Sequence, residues 1–169
     1  MWFTRRVFIK SCILSGGPAL LLPTHLQGLQ IKKKPWQPAY EKLEKEGKLA
    51  PRIKQAYSIF EHCQLCPRRC GVNRRKGEKG FCRAPLRPVI FSHHPHFGEE
   101  EPISGENGSG TIFFSNCNLR CAFCQNWPIA LEGRGKEIED EELAEMMLEL
   151  QDLGCHNINL VTPTHVMPN

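Results

Sequence analysis

Three cysteines lie close together in the second half of the chain, at Cys117, Cys121 and Cys124, with the spacing C-x3-C-x2-C. They directly follow the apolar run Thr111 to Phe114. Three thiolates on one short loop can bind three irons of a cubane [4Fe–4S] cluster and leave the fourth iron without a protein ligand. An iron with an open position is a place for chemistry. The spacing therefore favours a reactive iron–sulfur centre, with a zinc site or a disulfide pair as the alternatives for the same residues.

A second set of four cysteines precedes the first, and cationic residues surround it. The cysteines are Cys63, Cys66, Cys70 and Cys82. At these spacings four thiolates can close around one tetrahedral Zn²⁺ or one four-ligand iron–sulfur cluster, and the sequence leaves both open. The surrounding cations are Arg68, Arg69, Arg74, Arg75, Lys76 and Lys79. Compensation of thiolate charge is favoured over nucleic-acid contact, because no aromatic residues interleave with the cations to stack bases.

Length, charge and cysteine content indicate a metalloprotein. The 169 residues are enough for one domain, or for one small domain and part of another. Nine cysteines, seven of them in two tight sets, suit metal ligation better than a disulfide framework. The net charge is +4, but three of the basic residues and no acidic ones fall in the first 28 residues, which leaves 19 basic against 18 acidic residues elsewhere. Nucleic acid is therefore not an expected partner.

The N-terminus resembles a twin-arginine export signal, which we assign to residues 1–29. Arg5 and Arg6 are followed by a moderately apolar segment from Cys12 to Leu22. This segment is too short for a conventional transmembrane helix and is interrupted by a Gly-Gly-Pro sequence. The pattern predicts export or membrane association, with a cytoplasmic protein that has a basic N-terminus as the alternative.

Residues 30–60 are expected to form an extended linker and two short helices. The expected ranges are Ile31 to Tyr40 for the linker, and Glu41 to Leu49 and Arg52 to Phe60 for the helices. Residues 61–107 hold the four-cysteine set and a connecting loop, which is turn-rich from Phe91 to Gly110. The loop contains His93, His94 and His96 beside carboxylates. Solvated side chains are favoured there over a metal site, because no helix or strand pattern fixes their spacing.

From residue 108 the pattern becomes α/β. The run Thr111 to Phe114 predicts a buried parallel strand, and His156 to Thr162 predicts a second strand. Between them, Asp140 is predicted to cap a helix that Gly154 ends. The apolar positions at helical spacing are Leu143, Met146, Met147, Leu150 and Leu153. Strand, cysteine loop, helix and strand make one βαβ unit, which is expected to cross over right-handedly.

Several motifs in order resemble a known family. They are Cys63-x2-Cys66-Pro67-x2-Cys70, Gly80-Phe81-Cys82, the stretch Gly108 to Asn126, and Asn157 to His165. Together they resemble the radical S-adenosylmethionine (SAM) superfamily. More narrowly, they resemble proteins similar to pyruvate formate-lyase activating enzyme that carry an extra N-terminal cysteine cluster. The resemblance covers about residues 61–169 and implies a [4Fe–4S] cluster and SAM as cofactors.

The resemblance also implies a fold and a chemistry. The fold is the N-terminal part of a partial TIM-like (βα)6 barrel, incomplete at residues 108–169, preceded by a small cysteine-rich metal-binding segment. The cluster would be bound by Cys117, Cys121 and Cys124. The methionyl amino and carboxylate groups of SAM would chelate its open iron, and reductive cleavage would release a 5′-deoxyadenosyl radical that abstracts hydrogen from a substrate.

By the family pattern, Phe123 would pack near the adenine of SAM, and Asn126 would belong to the same site. Thr162 and Thr164 occupy the place where relatives bind the SAM amino group, although the Gly-Gly-Glu usual there is absent. A low-potential electron donor is an expected partner. A glycyl radical enzyme or another protein is the expected substrate class, which rests on the relatives' name alone. No catalytic residue is assigned.

Only two strands of the implied barrel are present, so the chain is expected to be a truncated form that cannot turn over SAM alone. Two other functions are compatible with the cysteine sets. One is a non-enzymatic zinc module that uses both sets. The other is an electron-transfer module with one or two clusters and no SAM chemistry.

Overall fold

The computed structural model describes residues 37–169, which are organised around one mixed four-stranded sheet. The strands are β1 (Val89–His96), β2 (Ser109–Phe114), β3 (Lys136–Glu137) and β4 (Ile158–Val161). The helices are α1 (Ala39–Lys45), α2 (Leu49–Ser58), α3 (Glu101–Ser104), α4 (Trp127–Ala130) and α5 (Asp140–Asp152). Short 3₁₀ helices lie at Ile59–Glu61, Arg74–Lys76 and Pro163–Val166.

The twin-arginine-like signal and most of the predicted linker lie outside the described residues. Within residues 37–169, no helix has both the length and the apolar character required to cross a bilayer. α1 begins at Ala39, so the end of the predicted linker is helical. Pro51 lies in the first turn of α2, where a missing N–H removes no helical hydrogen bond, and not between the helices as predicted.

The sheet order is β3–β1–β2–β4, which places β2 inside the sheet. β2 is parallel to β4, with Ile112 opposite Leu160, as the predicted βαβ unit requires. Its other neighbour, β1, is antiparallel. β2 is buried at nearly every position, because strands cover both of its edges and α5 packs on the sheet. The chain is therefore of the mixed α/β class.

The sequence predicts a turn-rich loop from Phe91 to Gly110. This prediction is wrong for the first third of the segment, which forms most of β1. His93, His94 and His96 lie on this strand and pair with β2. His94 stacks on Phe113 with ring centroids 5.8 Å apart, and His93 Nε2 lies 2.8 Å from Glu149 Oε2. The local sequence is polar and contains a proline, so only pairing with a distant, strongly apolar strand makes it extended.

α5 covers the sheet and completes the core. Its buried residues Leu143 and Leu150 join a cluster with side chains of the sheet and its flanks, and Met146 and Met147 pack against that cluster. The other cluster residues are Ile90, Ile112, Phe114, Ile138 and Val166.

The ends of α5 confirm one predicted boundary and correct the other. The N-cap is Glu139, in a reciprocal capping box with Glu142, and not Asp140 as predicted. Asp140 instead accepts hydrogen bonds from Tyr57 and Asn169. Gly154 follows the C-cap with a φ of +77°, which fits its predicted role in ending the helix.

Candidate metal centres

The three cysteines predicted to hold the reactive cluster line one cavity. Cys117, Cys121 and Cys124 border a cavity of about 130 Å³. The rest of its wall is mainly apolar and comprises Phe113, Phe114, Leu119, Asn126, Ile129, Ala130, Val161 and Thr162. β2 and β4 are parallel and both end at this cavity. A crevice at the carboxyl ends of parallel strands is the usual place for a ligand in α/β sheets.

Backbone hydrogen bonds set the path of the chain from β2 into this cavity. The Ser115 N–H donates to Val89 O at 2.7 Å, and the Asn116 N–H donates to Ile129 O at 2.9 Å. Asn116 has a φ of +70°, which turns the chain sharply away from the sheet. The Leu119 N–H then points at Cys117 Sγ, 3.4 Å away. This hydrogen bond fixes the position of the Cys117 side chain at the start of the loop.

The residues assigned to SAM by resemblance are only partly brought together. Asn126 and Thr162 line the cavity of the three cysteines. Thr162 has a φ of +60° and donates from Oγ1 to Phe114 O at 3.2 Å, so its side chain ties the ends of the two parallel strands together. Phe123 is 92% exposed. Thr164 lies in the following 3₁₀ helix and is not among the residues that line the cavity.

The four-cysteine set lines a second, small cavity. Its wall consists of Cys63, Leu65, Cys66, Arg68, Cys70, Arg74, Phe81, Cys82, Asn118 and His165. The Cys63 N–H donates to Val72 O at 3.0 Å, and the Gly71 N–H donates to Cys63 O at 3.1 Å. A Cβ at Gly80 would lie 2.5 Å from Cys70 Sγ, so only glycine allows this approach. These contacts bring thiols from both ends of a 20-residue segment to the wall of one cavity.

The electrostatics of Cys63 indicate that these thiols are close neighbours. Burial raises the pKa of the Cys63 thiol, and the neighbouring Cys70 and Cys82 raise it further. A backbone hydrogen bond from Leu65 and the Arg74 cation act in the opposite direction. A metal binds the deprotonated form, so metal binding here would release protons and weaken as the pH falls.

Arg74 is a buried cation beside this set. It is 3% exposed, and among residues 37–169 no carboxylate forms an ion pair with it. Nη1 donates to His165 O at 2.6 Å and to Pro85 O at 3.4 Å, and Nη2 lies 3.5 Å from Cys82 Sγ. Buried charges are normally paired. A metal-bound thiolate at Cys82 would supply the counter-charge.

The thiols of each set line a cavity without closing on one point. All eight cysteines in the described part of the chain are free thiols, which is against the disulfide alternative. No group of three or more His, Cys, Asp or Glu side chains within residues 37–169 converges closely enough to hold a single metal ion. Zn²⁺ needs its sulfurs about 2.3 Å from one centre, whereas a cubane cluster binds each thiolate through a different iron. The three-cysteine cavity offers three thiols, which can bind three irons of a cubane cluster and leave one iron open, whereas a structural zinc site takes four protein ligands.

His165 is a buried residue that sequence reasoning included in a motif but did not assign to the four-cysteine site. It is 1% exposed, and its Nε2 lies 2.8 Å from Ser115 O. A carbonyl only accepts, so Nε2 carries the proton. Nδ1 is buried and has no hydrogen-bond partner among the described residues. Burial lowers the pKa of His165, and the nearby Arg74 cation lowers it further. The backbone carbonyl groups of Ser115 and Thr162 raise it in part. The imidazole is therefore neutral near pH 7.

We expect the stability of the metal-free protein to fall with acid, partly because of His165. Its pKa is lower in the folded state than in the unfolded chain, where histidine titrates at about 6.5. Below that pH the unfolded chain binds a proton that the folded chain does not, so the free energy of unfolding decreases as the pH falls toward the folded-state pKa. His165→Gln should reduce this pH dependence while keeping a donor for Ser115 O.

Urea unfolding of the metal-free protein at several pH values between about 5 and 7.5 measures this effect. His156→Gln, which removes an exposed histidine next to β4, is the matched control. An unchanged profile in His165→Gln would show that other groups cause the acid sensitivity.

Comparison with known proteins agrees with this geometry. Residues 111–167, which run from β2 through the cysteine loop and α5 to β4 and the last 3₁₀ helix, match the family model described as the radical SAM superfamily. No solved structure gives a significant match to the chain.

Two relatives come from Methanocaldococcus jannaschii. The chain is 36% identical over 118 residues to the uncharacterized protein MJ0674, covering 65% of this chain and 33% of that protein. It is 28% identical over 105 residues to the uncharacterized protein MJ0808, covering 51% of this chain and 30% of that protein. The chain therefore spans about one third of the length of the curated relatives it matches. Members of the matched superfamily are generally enzymes that use a [4Fe–4S] cluster and SAM, and the match supports the radical SAM superfamily for residues 111–167.

Proposed function

We propose that this chain carries the cluster-binding part of a radical SAM enzyme. The observation that carries the proposal is the shared cavity at the carboxyl ends of β2 and β4. Three thiols, Asn126 and Thr162 meet there, inside the segment that matches the superfamily. When bound, a [4Fe–4S] cluster would supply the electron that cleaves SAM and so generate a 5′-deoxyadenosyl radical for hydrogen abstraction.

Different residues of the chain would bind the cluster, shield it from water and fix the strands around it. Cys117, buried and next to the Leu119 N–H, would provide the most fixed ligand, whereas Cys121 and Cys124 lie nearer to solvent. Ile129 and Ala130 would keep water from the inner side of the cavity. Thr162 would keep the ends of β2 and β4 together through its bond to Phe114 O.

The four-cysteine set would hold a second metal centre, either one zinc ion or one iron–sulfur cluster. The buried Arg74 supports this proposal, because four thiolates on a metal leave a net negative charge that a neighbouring cation offsets. The same cation is difficult to explain beside four neutral thiols, since burying an unpaired charge is unfavourable.

Further proposals concern the fold and the partners of the whole protein. They are a partial (βα)6 barrel, a low-potential electron donor, and a glycyl radical enzyme or another protein as the substrate. Adenine contact by Phe123 and contact of the SAM amino group by Thr164 are proposals of the same kind. Export through Arg5 and Arg6 is a further one, and a reporter fusion with both residues changed to Lys would test it.

Addition of SAM to the reduced, reconstituted protein tests the main proposal. We expect anaerobic reconstitution with iron and sulfide to give an EPR signal after dithionite reduction, and SAM to change that signal because it binds an open iron. An electron-transfer module would give a signal that SAM does not alter. Two zinc ions and no bound sulfide would identify the non-enzymatic zinc module.

A further inference from the structure

The two cysteine sets belong to segments that contact each other directly. We define the four-cysteine segment as residues 63–82 and the three-cysteine loop as residues 115–126. Arg68, which lies between Cys66 and Cys70, donates from Nε to Asn118 O at 2.9 Å. Asn118 lies next to Cys117, and it also lines the four-cysteine cavity. One residue of the three-cysteine loop is thus part of the wall of the other site.

Phe81 adds a second contact between the same segments. The Arg68 guanidinium lies over the Phe81 ring, with Cζ 3.3 Å from the centroid, and Arg120 Cζ lies 5.8 Å from the same centroid. Phe81 is next to Cys82, and Arg120 is next to Cys121. An aromatic ring from one cysteine segment therefore lies beside a cation from each of the two segments.

A third connection runs below these contacts, inside the protein. Arg74 approaches Cys82 Sγ with Nη2 and donates to His165 O with Nη1. The His165 ring donates in turn to Ser115 O, at the start of the three-cysteine loop. Arg74 and His165 are both almost fully buried, so this connection is shielded from solvent. It links a ligand of one proposed centre to the base of the loop that carries the other.

We propose that metal at the four-cysteine set holds the three-cysteine loop in the conformation that retains its cluster, with Arg68 as the main positioning residue at the surface. Arg68 lies in the turn between two of the four cysteines. A metal that draws Cys66 and Cys70 together would fix this turn. It would therefore also fix the Arg68 Nε–H group that donates to Asn118 O. Within the turn itself, the backbone contributes the bond from the Arg69 N–H to Cys66 O at 3.0 Å.

This inference rests on the proposed function and extends it from two sites to their coupling. Coupling between sites is reciprocal, so a cluster on the three-cysteine loop should also stabilise metal at the four-cysteine set by the same factor. The effect would be on cluster retention and on the response to SAM.

The test compares the rate at which a ferrous chelator removes the SAM-responsive EPR signal from reconstituted variants of the full chain. We expect loss about fivefold faster or more in Cys66→Ser/Cys70→Ser, which empties the four-cysteine site, and a similar acceleration in Arg68→Ala. Arg75→Ala is the matched control. It removes the same charge from the same segment, where Arg75 makes only an exposed ion pair with Glu61, and it should behave like the wild type.

The combined variant distinguishes coupling from general damage. If the metal acts through Arg68, adding Arg68→Ala to Cys66→Ser/Cys70→Ser should cause no further acceleration, whereas independent effects would multiply. Arg68→Lys keeps the charge but not the planar fork, so it should restore only part of the retention.

The results that would contradict the coupling differ from those that would contradict the proposed function. Rates equal to the wild type in Arg68→Ala, with the SAM response intact, would overturn the coupling and leave the proposed function standing. If the double cysteine variant does not fold, the comparison of Arg68→Ala with Arg75→Ala still tests the coupling. Equal rates of signal loss in these two variants would overturn it. A wild-type protein with no SAM-responsive signal would overturn the proposed function, and the inference with it.

Discussion

Replacement of Cys121 by Ser is expected to abolish the SAM-dependent change in the EPR signal, while metal remains bound at the four-cysteine set. Among the described residues, Cys121 is one of the three thiols that line its cavity, so losing it leaves two of them for the cluster. The four-cysteine segment keeps its own ligands and its own backbone contacts. EPR with and without SAM measures the first effect. Metal and sulfide analysis of the same sample measures the second.

Cys155→Ser is the control for this experiment. Cys155 is a free, partly buried cysteine that belongs to neither set and packs against the core cluster. Its replacement should leave both the SAM response and the metal content unchanged. If Cys121→Ser emptied both sites completely, one shared metal site would be the better description of the seven cysteines.

Replacement of Arg74 by Met is expected to weaken metal binding at the four-cysteine set by about 10- to 100-fold, the range typical for groups that contact metal ligands. Methionine keeps much of the packing next to Phe60 but removes the cation beside Cys82 Sγ. The thiolate charge then has no buried counter-charge. Competition between the protein and a chromophoric chelator for Zn²⁺ or Co²⁺ measures the dissociation constant.

The same substitution has opposing effects on the metal-free protein. It leaves the carbonyls of His165 and Pro85 without their donor, which costs about 1–3 kcal/mol for each group that stays buried and unsatisfied. It also removes a buried cation that has no ionised partner when the thiols are protonated. We therefore expect a larger loss of stability in the metal-bound protein than in the metal-free protein, as measured by thermal unfolding of both forms.

Arg75→Met is the matched control, since Arg75 is exposed and pairs with Glu61. It should change neither the metal affinity nor the difference between the two unfolding temperatures. Unchanged affinity in Arg74→Met would contradict the counter-charge role and reduce Arg74 to a packing residue.

Arg74 also takes part in the proposed coupling of the two cysteine sets. It contacts a ligand of one proposed centre and the backbone of His165, whose ring holds Ser115 at the start of the three-cysteine loop. Arg68 reaches the same loop from the surface through Asn118 O. In the proposed coupling, a charge change at the four-cysteine set would therefore have two routes to the three-cysteine loop, one buried and one exposed.

The sequence alone predicted the grouping of the cysteines and the elements with strong local patterns. Cysteine spacing predicted the two sets of thiols that line the two cavities, because cysteines a few residues apart must lie close in space whatever the rest of the chain does. The apolar run Thr111 to Phe114 and the helical periodicity after Asp140 predicted β2 and α5, because burial on a sheet or a helix requires those periods. These features depend on neighbours in sequence, so the sequence was sufficient.

The tertiary structure alone decided which distant groups meet. The histidine-rich part of β1, from Ser92 to His96, is polar and contains a proline, and it is extended where it pairs with β2. Arg74 and Arg75 are adjacent and chemically identical, yet one is buried beside the thiols and the other pairs with Glu61 at the surface. The contact of Arg68 with Asn118 and the burial of His165 under Ser115 join residues about 50 positions apart. Such contacts depend on how the elements pack, and no local spacing encodes them.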